Sequence, residues 1–188
     1  MQIIYREFLK YKFLNSLFLG LSIGAVFTIY MPLDPSVFSI GGIALAIGML
    51  FIAKLYAKIL HIEYFYKISL FVELVLLCVI CMFLVFSYSY TTALLIYVGY
   101  QLTFSFGAYL MRAETLFLKR NAVLSMADVV KQKGYLAGMA LSYLFYIALE
   151  KLLHVNDKNA QVYTMHFLLL GVEIAIIFYL MRSFTGKR

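Results

Sequence analysis

The sequence predicts an all-α integral membrane protein with six transmembrane helices and no separate soluble domain. Of its 188 residues, 64% are hydrophobic and only 13% are charged. Soluble domains carry about 45–50% apolar and about 25% charged residues, so this chain lacks the polar surface that water requires. It also contains six apolar runs, each close to the roughly 20 residues that a helix needs to cross a bilayer. We therefore expect one membrane domain over residues 1–188.

The apolar runs define the predicted spans in chain order. They cover residues 13–31, 36–57, 68–88, 91–111, 134–153 and 163–181. The first run follows a basic start, as a signal peptide would. We expect it to be a retained helix, because it is long enough to span and no small-residue cleavage site follows it. Pro32 and Pro35 form the turn between the first two spans, since a proline disfavours helical geometry in the residue before it.

The basic residues predict the orientation. They concentrate in the N-terminus, the 54–67 loop, the 112–133 connection and the C-terminal tail, whereas the three alternate loops hold only Lys151 and Lys158. The other 14 of the 16 are Arg6, Lys10, Lys12, Lys54, Lys58, Lys67, Arg112, Lys119, Arg120, Lys131, Lys133, Arg182, Lys187 and Arg188. Because cytoplasmic loops carry the excess of Lys and Arg, we expect both termini in the cytoplasm and a multi-pass protein of a bacterial-type cytoplasmic (inner) membrane.

The net charge of +7 does not predict nucleic-acid binding, since the basic residues form short clusters between apolar runs rather than a stripe with stacking aromatics. The longest connection, residues 112–133, has an amphipathic pattern. Leu116, Val123 and Ala127 lie on one side of a helix, and Lys119 and Lys131 lie elsewhere. We expect this segment either to lie at the cytoplasmic interface or to extend the fourth and fifth spans.

Two halves of the chain share an order of features: a small-residue stripe, a second such stripe and a glutamate inside a span. The stripes are Gly20, Gly24 and Thr28; Gly42, Ala46 and Leu50; Gly99, Thr103 and Gly107; and Gly134, Gly138 and Ser142. Three spans per half is an odd number, so the second half must be inverted relative to the first. We predict a 3+3 inverted repeat over residues 12–90 and 91–183, although such stripes are also common wherever membrane helices pack closely.

Several of these motifs together resemble one half of a major facilitator superfamily transporter. They are the Gly20, Gly24 and Pro32 pattern of the first span, the 41–60 span that leads to a basic loop, and the passage from Arg112-Ala-Glu114 to Lys133-Gly134-Tyr-Leu-Ala-Gly138. The acidic residue and the glycines of the family's usual loop between its second and third spans are missing. Members of this family have twelve spans, so the resemblance implies a half-size relative that works as a homodimer by alternating access.

The resemblance also implies that the first span of each half lines the substrate path. Asn15, Tyr100 and Gln101 are therefore the substrate-path candidates, with plain interhelical hydrogen bonding as the alternative. Arg112 and Glu114 are gating candidates, as a pair at the cytoplasmic end.

Glu73 and Glu173 lie inside the third and sixth predicted spans. A carboxylate in hydrocarbon costs several kcal/mol unless it is paired, hydrated or protonated. We therefore predict that they form a proton or cation relay. The alternatives are a packing hydrogen bond or extension of the side chain to the interface.

Enzyme and metal motifs are not found in the expected form. Cys78 and Cys81 have the spacing of a redox pair but lie in the middle of an apolar span. The Gly-x-Ser-x sequence of intramembrane serine proteases is missing, and no metal-ligand spacing links the three histidines. We expect no metal, no cofactor and no enzymatic activity.

These observations together predict a secondary transporter that moves an unknown small solute across the lipid bilayer and is coupled to protons. We expect it to work as a homodimer, with a second copy of itself as partner. The alternative is a non-transporting bundle that serves as an assembly or complex subunit. A membrane enzyme is the third possibility.

Overall fold

The computed structural model describes residues 1–86 and 88–185 and is helical apart from two short strands. In chain order the elements are β1 Gln2–Ile3, α1 Tyr5–Tyr30, α2 Pro35–Lys54, α3 Tyr56–Ile59, α4 Ile62–Val85, α5 Tyr90–Ser105, α6 Gly107–Leu118, α7 Asn121–Lys151, α8 Lys158–Arg182 and β2 Phe184–Thr185. Each of the six predicted spans lies largely within these helices. The all-helical class is thereby confirmed, and long apolar helices support a multi-pass membrane protein.

Within the described ranges, five helices are long and apolar enough to cross a membrane: α1, α2, α4, the α5–α6 stretch Tyr90–Leu118, and α8. The predicted fifth span lies in α7, which has 31 residues but does not belong to these five. Its glycine, serine and tyrosine residues and its charged ends lower its mean hydropathy. The number of such helices in the described residues is therefore five, one fewer than the six spans expected from the apolar runs.

Helix α7 runs parallel to α1 in close contact. A Cβ atom added at Gly134 would collide with the Phe13 carbonyl oxygen, and one added at Gly138 would also collide with the α1 backbone. One turn further on, the Ser142 hydroxyl donates a hydrogen bond of 3.2 Å to the carbonyl of Leu21. Small residues thus let the two helix backbones approach directly, as the predicted stripe on this helix requires.

Helices α4 and α8 also pack on α1, and they run antiparallel to each other. The Phe83 ring of α4 stacks on His166 of α8 at 4.0 Å between ring centroids, and Glu73 lies against Glu173 further along the same interface. Helix α1 contacts both α4 and α8, so it is the central helix of this group. Its Phe8 packs on Phe65 at the start of α4.

Helix α2 packs on α5 and contributes little to the core. Phe38 and Tyr97 meet at 5.4 Å between ring centroids, and Gly48 faces Ser105. Only Ile52 of its 20 residues is buried. Gly42, which the sequence placed in a packing stripe, has no neighbour that a Cβ atom would touch among the described residues. A membrane helix with this exposure faces lipid or another protein.

The segment predicted as a connection at residues 112–133 belongs to two long helices. Helix α6 ends at Leu118, Lys119 adopts a left-handed conformation with φ 55°, and α7 begins at Asn121. The segment therefore extends the fourth and fifth spans, which was one of the two expected arrangements. The helix is interrupted at Phe106, between α5 and α6, and next to it the Ser105 hydroxyl donates a hydrogen bond back to the Leu102 carbonyl.

The first and last described segments of the chain lie together. Strands β1 and β2 pair antiparallel, with Gln2 opposite Thr185 and Ile3 opposite Phe184. Sequence patterns gave no sign of this pairing. The predicted tail residues Lys187 and Arg188 lie outside the described residues. Paired termini place the start of α1 and the end of α8 at the same end of the bundle.

Candidate functional site

A pair of glutamates occupies the interface between α4 and α8. Glu73 is 1% exposed and Glu173 is fully buried, and their carboxyl groups interact directly. Both oxygens of Glu173 and Oε2 of Glu73 meet no hydrogen-bond donor in the described residues. Since ionised carboxylates only accept hydrogen bonds, a hydrogen bond between these two groups requires a proton.

Helix α1 supplies two donors to this pair, and both bind the same oxygen. The Tyr11 hydroxyl donates to Glu73 Oε1 at 2.8 Å, and Asn15 Nδ2 donates to it at 3.1 Å. Tyr11 and Asn15 are four residues apart, so they lie on the same face of the helix. The pair is therefore asymmetric, because Glu73 accepts two hydrogen bonds and Glu173 accepts none from the described side chains.

An ion network lies nearer the chain ends. Glu114 of α6 pairs with Lys12 of α1 and with Lys131 of α7, each at 2.7 Å, and Lys131 also contacts Asp128 at 3.2 Å. The network joins three helices and contains two positive and two negative groups. Burial would lower the pKa of Lys131, but its contacts with Glu114 and Asp128 outweigh that and raise its pKa above the ordinary lysine value.

The gating candidates do not pair with each other. Glu114 is 3% exposed and has the two lysines as partners. Arg112 belongs to the same helix, α6, but its side chain is exposed. No ion pair of Arg112 occurs in residues 1–86 and 88–185. The local Arg112–Glu114 interaction predicted from the sequence is therefore replaced by a network across helices. The reason is helix geometry, since residues two apart point to different faces.

A cleft of about 400 Å³ opens between α1 and α5, with α4 behind it. Asn15, Ser22 and Tyr30 line it from α1, and Tyr100 and Thr103 line it from α5. Most of its remaining wall is apolar. The first and fourth predicted spans thus face a common concavity.

The glutamates lie behind this cleft rather than in its wall. Val72 and Leu76, on either side of Glu73 in α4, form part of the wall, and Asn15 lies both in the wall and on Glu73. Tyr100 also lies within electrostatic range of Glu173. Asn15 is therefore the residue through which the cleft contacts the carboxyl pair.

The structure brings together four of the seven predicted site residues. Asn15, Glu73 and Glu173 form one cluster, and Tyr100 borders it. Gln101 is absent from the cleft wall, and its Oε1 is buried with no partner among the described side chains.

Tyr11, Lys12 and Lys131 were missed because they precede the apolar runs that define the spans. The four-residue spacing of Tyr11 and Asn15 was the available signal, since it places a second polar group on the face that carries Asn15. It becomes visible only if α1 is extended N-terminally beyond its apolar run.

The cysteine motif has no partner in the described structure. Cys78 and Cys81 are free and exposed on α4, and no group of three or more His, Cys, Asp or Glu residues suited to a metal occurs in the described part of the chain. Comparison with known proteins finds no matching family model, no matching curated protein and no matching solved structure.

Proposed function

We propose that α7 completes six membrane crossings. The five long apolar helices are an odd number, whereas chain ends that pair at one end of the bundle require an even number. Parallel packing of α7 along α1 supports the sixth crossing. The basic segments then gather at the end that holds both termini. By the charge rule this end faces the cytoplasm, in a bacterial-type inner membrane.

The proposed fold within this bundle is a 3+3 inverted repeat, like one half of a major facilitator transporter. Helix α1 contacts α7 and α8, α5 contacts α2 and α4, and α4 contacts α8. Exchanging α1 with α5, α2 with α7 and α4 with α8 converts these five contacts into one another, whereas the small contact of α7 with α8 has no counterpart of similar size between α2 and α4. That exchange is the one an inverted repeat requires, and it supports the proposal.

The function that this geometry supports best is secondary transport of a small solute coupled to protons. The observation that carries the proposal is a cleft between α1 and α5 whose wall residue Asn15 binds one of two buried, adjacent carboxyl groups. Two adjacent carboxylates in a low-dielectric interior repel each other, so the pair retains at least one proton. We assign the proton that is lost last to Glu173, which then donates to Glu73, because Glu73 already accepts two hydrogen bonds.

One six-span bundle provides one wall of a transport path. The cleft is only partly enclosed by α1, α4 and α5, and α2 is exposed along nearly its whole length. A second copy of the chain would close the cleft and permit two bundles to rock around it. We therefore propose a homodimer as the transporting unit.

The test is reconstitution of the full chain into vesicles loaded with a pH-sensitive dye. Sugars, amino acids, amines and nucleosides are added outside one class at a time, with and without an imposed pH gradient. We expect at least one class to change the internal pH. The change should be lost in Glu73→Gln/Glu173→Gln and kept in Glu63→Gln, an exposed glutamate on the same helix. If every class leaves the internal pH unchanged, coupled transport is wrong and the non-transporting subunit becomes the better account.

A further inference from the structure

Five of the 14 residues that line the cleft between α1 and α5 are aromatic. They are Phe18, Phe27 and Tyr30 of α1 and Tyr100 and Phe104 of α5. Neither a lysine nor an arginine contributes to its wall. Aromatic faces carry a negative quadrupole that attracts cations, most strongly where water is excluded. The wall therefore suits a ligand that is both apolar and positively charged.

The charges around the cleft also favour a positively charged ligand. Lys12, which acts electrostatically on Glu73, belongs to a network with Lys131, Glu114 and Asp128, in which two positive charges meet two negative ones. This network is neutral as a whole. The pair of Glu73 and Glu173 has no matching positive partner in a described salt bridge. An uncompensated buried charge is costly, so without a cation nearby the pair holds two protons and is neutral. It carries one negative charge, with the remaining proton on Glu173, only while a cation lies near.

We infer that the cleft binds a lipophilic organic monocation, and that its binding expels one of the two protons that the neutral pair of Glu73 and Glu173 holds. The inference rests on the exchangeable proton of the proposed function and adds the class of solute. Charge is conserved in the step, because one positive ligand enters as one proton leaves to the solvent. Asn15 contacts both the cleft and Glu73, so it connects the two events.

None of the titratable groups that face the carboxyl pair releases the proton, so the pair itself is the site of proton exchange. Helix α1 presents Tyr11 and Lys12, and α5 presents Tyr100. Lys12 is already paired with Glu114 of α6 at 2.7 Å. The tyrosines keep their protons at neutral pH, since an ordinary phenol ionises near pH 10. The proton released on binding therefore comes from the glutamates.

Tetraphenylphosphonium and tetraphenylborate are suitable probes, because they share size and shape and differ in charge. Binding of each to the purified full chain in detergent is measured by equilibrium dialysis, and proton release is measured with a soluble pH indicator at low buffer concentration. We expect saturable binding of the phosphonium with release of one proton per bound cation. The affinity should fall about tenfold per pH unit on acidification while the pair is protonated. Equal binding of both probes, or cation binding without proton release, would overturn the inference.

Two kinds of variant separate the contribution of the carboxyl groups from that of the space in the cleft. In Glu73→Gln/Glu173→Gln the phosphonium should bind about tenfold more weakly or worse, without proton release, while Glu63→Gln should behave as wild type. Gly107→Phe fills the cleft from its wall, where a Cβ atom meets nothing within 4 Å. It should abolish binding although both glutamates remain. Gly171→Phe is its control, since that glycine is equally unobstructed and lies outside the cleft. Binding that survives Gly107→Phe would place the cation elsewhere and overturn the inference.

The outcomes distinguish this inference from the proposed function. If the phosphonium fails to bind but a neutral solute changes the internal pH of vesicles, transport stands and the solute class is wrong. If the phosphonium binds with proton release but no solute moves protons across the membrane, the cation site stands and transport is wrong.

Discussion

The contact between α1 and α7 depends on glycine, so Gly138→Ala tests whether the two helices pack as closely as described. A Cβ atom at this position would collide with the Leu17 carbonyl oxygen and would lie 3.0 Å from Gly20 Cα. Both obstructing atoms belong to the α1 backbone, which no side-chain rotation can relieve. The helices must therefore separate, and the contacts of the whole interface weaken.

The expected size of the effect follows from two opposing contributions. Overpacking of a close interface costs about 1–3 kcal/mol, whereas replacing glycine by alanine inside a helix gains about 1 kcal/mol. The net loss for Gly138→Ala is about 0–2 kcal/mol. Gly171→Ala gains the helix propensity without a collision, because no atom lies within 4 Å of its added Cβ. The difference between the two variants should therefore be about 1–3 kcal/mol.

The measurement is the free energy of unfolding in mixed micelles titrated with a denaturing detergent and followed by circular dichroism. The double variant Gly20→Ala/Gly138→Ala should lose less than the sum of the single losses, because one separation of the helices accommodates both methyl groups. A Gly138→Ala protein at least as stable as Gly171→Ala would refute the direct backbone contact. It would also remove the support that helix packing gives to α7 as a crossing helix.

Three further changes test the polar contacts. Glu114→Gln leaves the buried ammonium of Lys12 without its partner and should destabilise the protein by about 3–5 kcal/mol. The control Arg112→Gln should change stability by less than about 0.5 kcal/mol. Equal losses of the two variants in detergent unfolding would contradict the network. Tyr109→Phe removes a 2.8 Å hydrogen bond to the carbonyl of Ile59 and should cost about 1 kcal/mol; an unchanged unfolding free energy would contradict that bond. Because the pKa of Lys131 is raised, its stabilising contribution is present at neutral pH and is lost only as the pH rises through that raised pKa. Lys131→Met should reduce this alkaline loss of stability, and an alkaline loss as large as that of wild type would show that another group titrates.

Much of the helical architecture was predictable because lipid restricts the choice. In hydrocarbon every backbone group must bond within its own segment, so a long apolar run predicts a helix almost irrespective of its other residues. Five of the six predicted spans meet this description in the structure. The fifth lies in α7, whose Gly134 and Gly138 pack on α1. The residues that let this helix pack are also the ones that weaken its apolar signal.

The candidate site was predictable in part, because charge inside an apolar run is rare and conspicuous. Glu73 and Glu173 could be selected from the sequence for this reason. Their contact with each other could not, since it depends on the antiparallel packing of α4 on α8. Glu114 shows the same limit, because its partners Lys12 and Lys131 are distant in the chain. Sequence proximity could suggest only a nearby residue, Arg112, as the partner of Glu114.

Proton coupling, cation binding and the role of Asn15 all require an exchangeable proton on the carboxyl pair. Infrared difference spectroscopy of the full chain in lipid, recorded between neutral and alkaline pH, detects this proton through the carbonyl stretch of a protonated carboxyl group. We predict that the band is present at neutral pH, disappears in Glu73→Gln/Glu173→Gln and persists in Glu63→Gln. If wild-type protein lacks the band at neutral pH, or if the double variant retains it, the pair does not hold the proton and the account is contradicted.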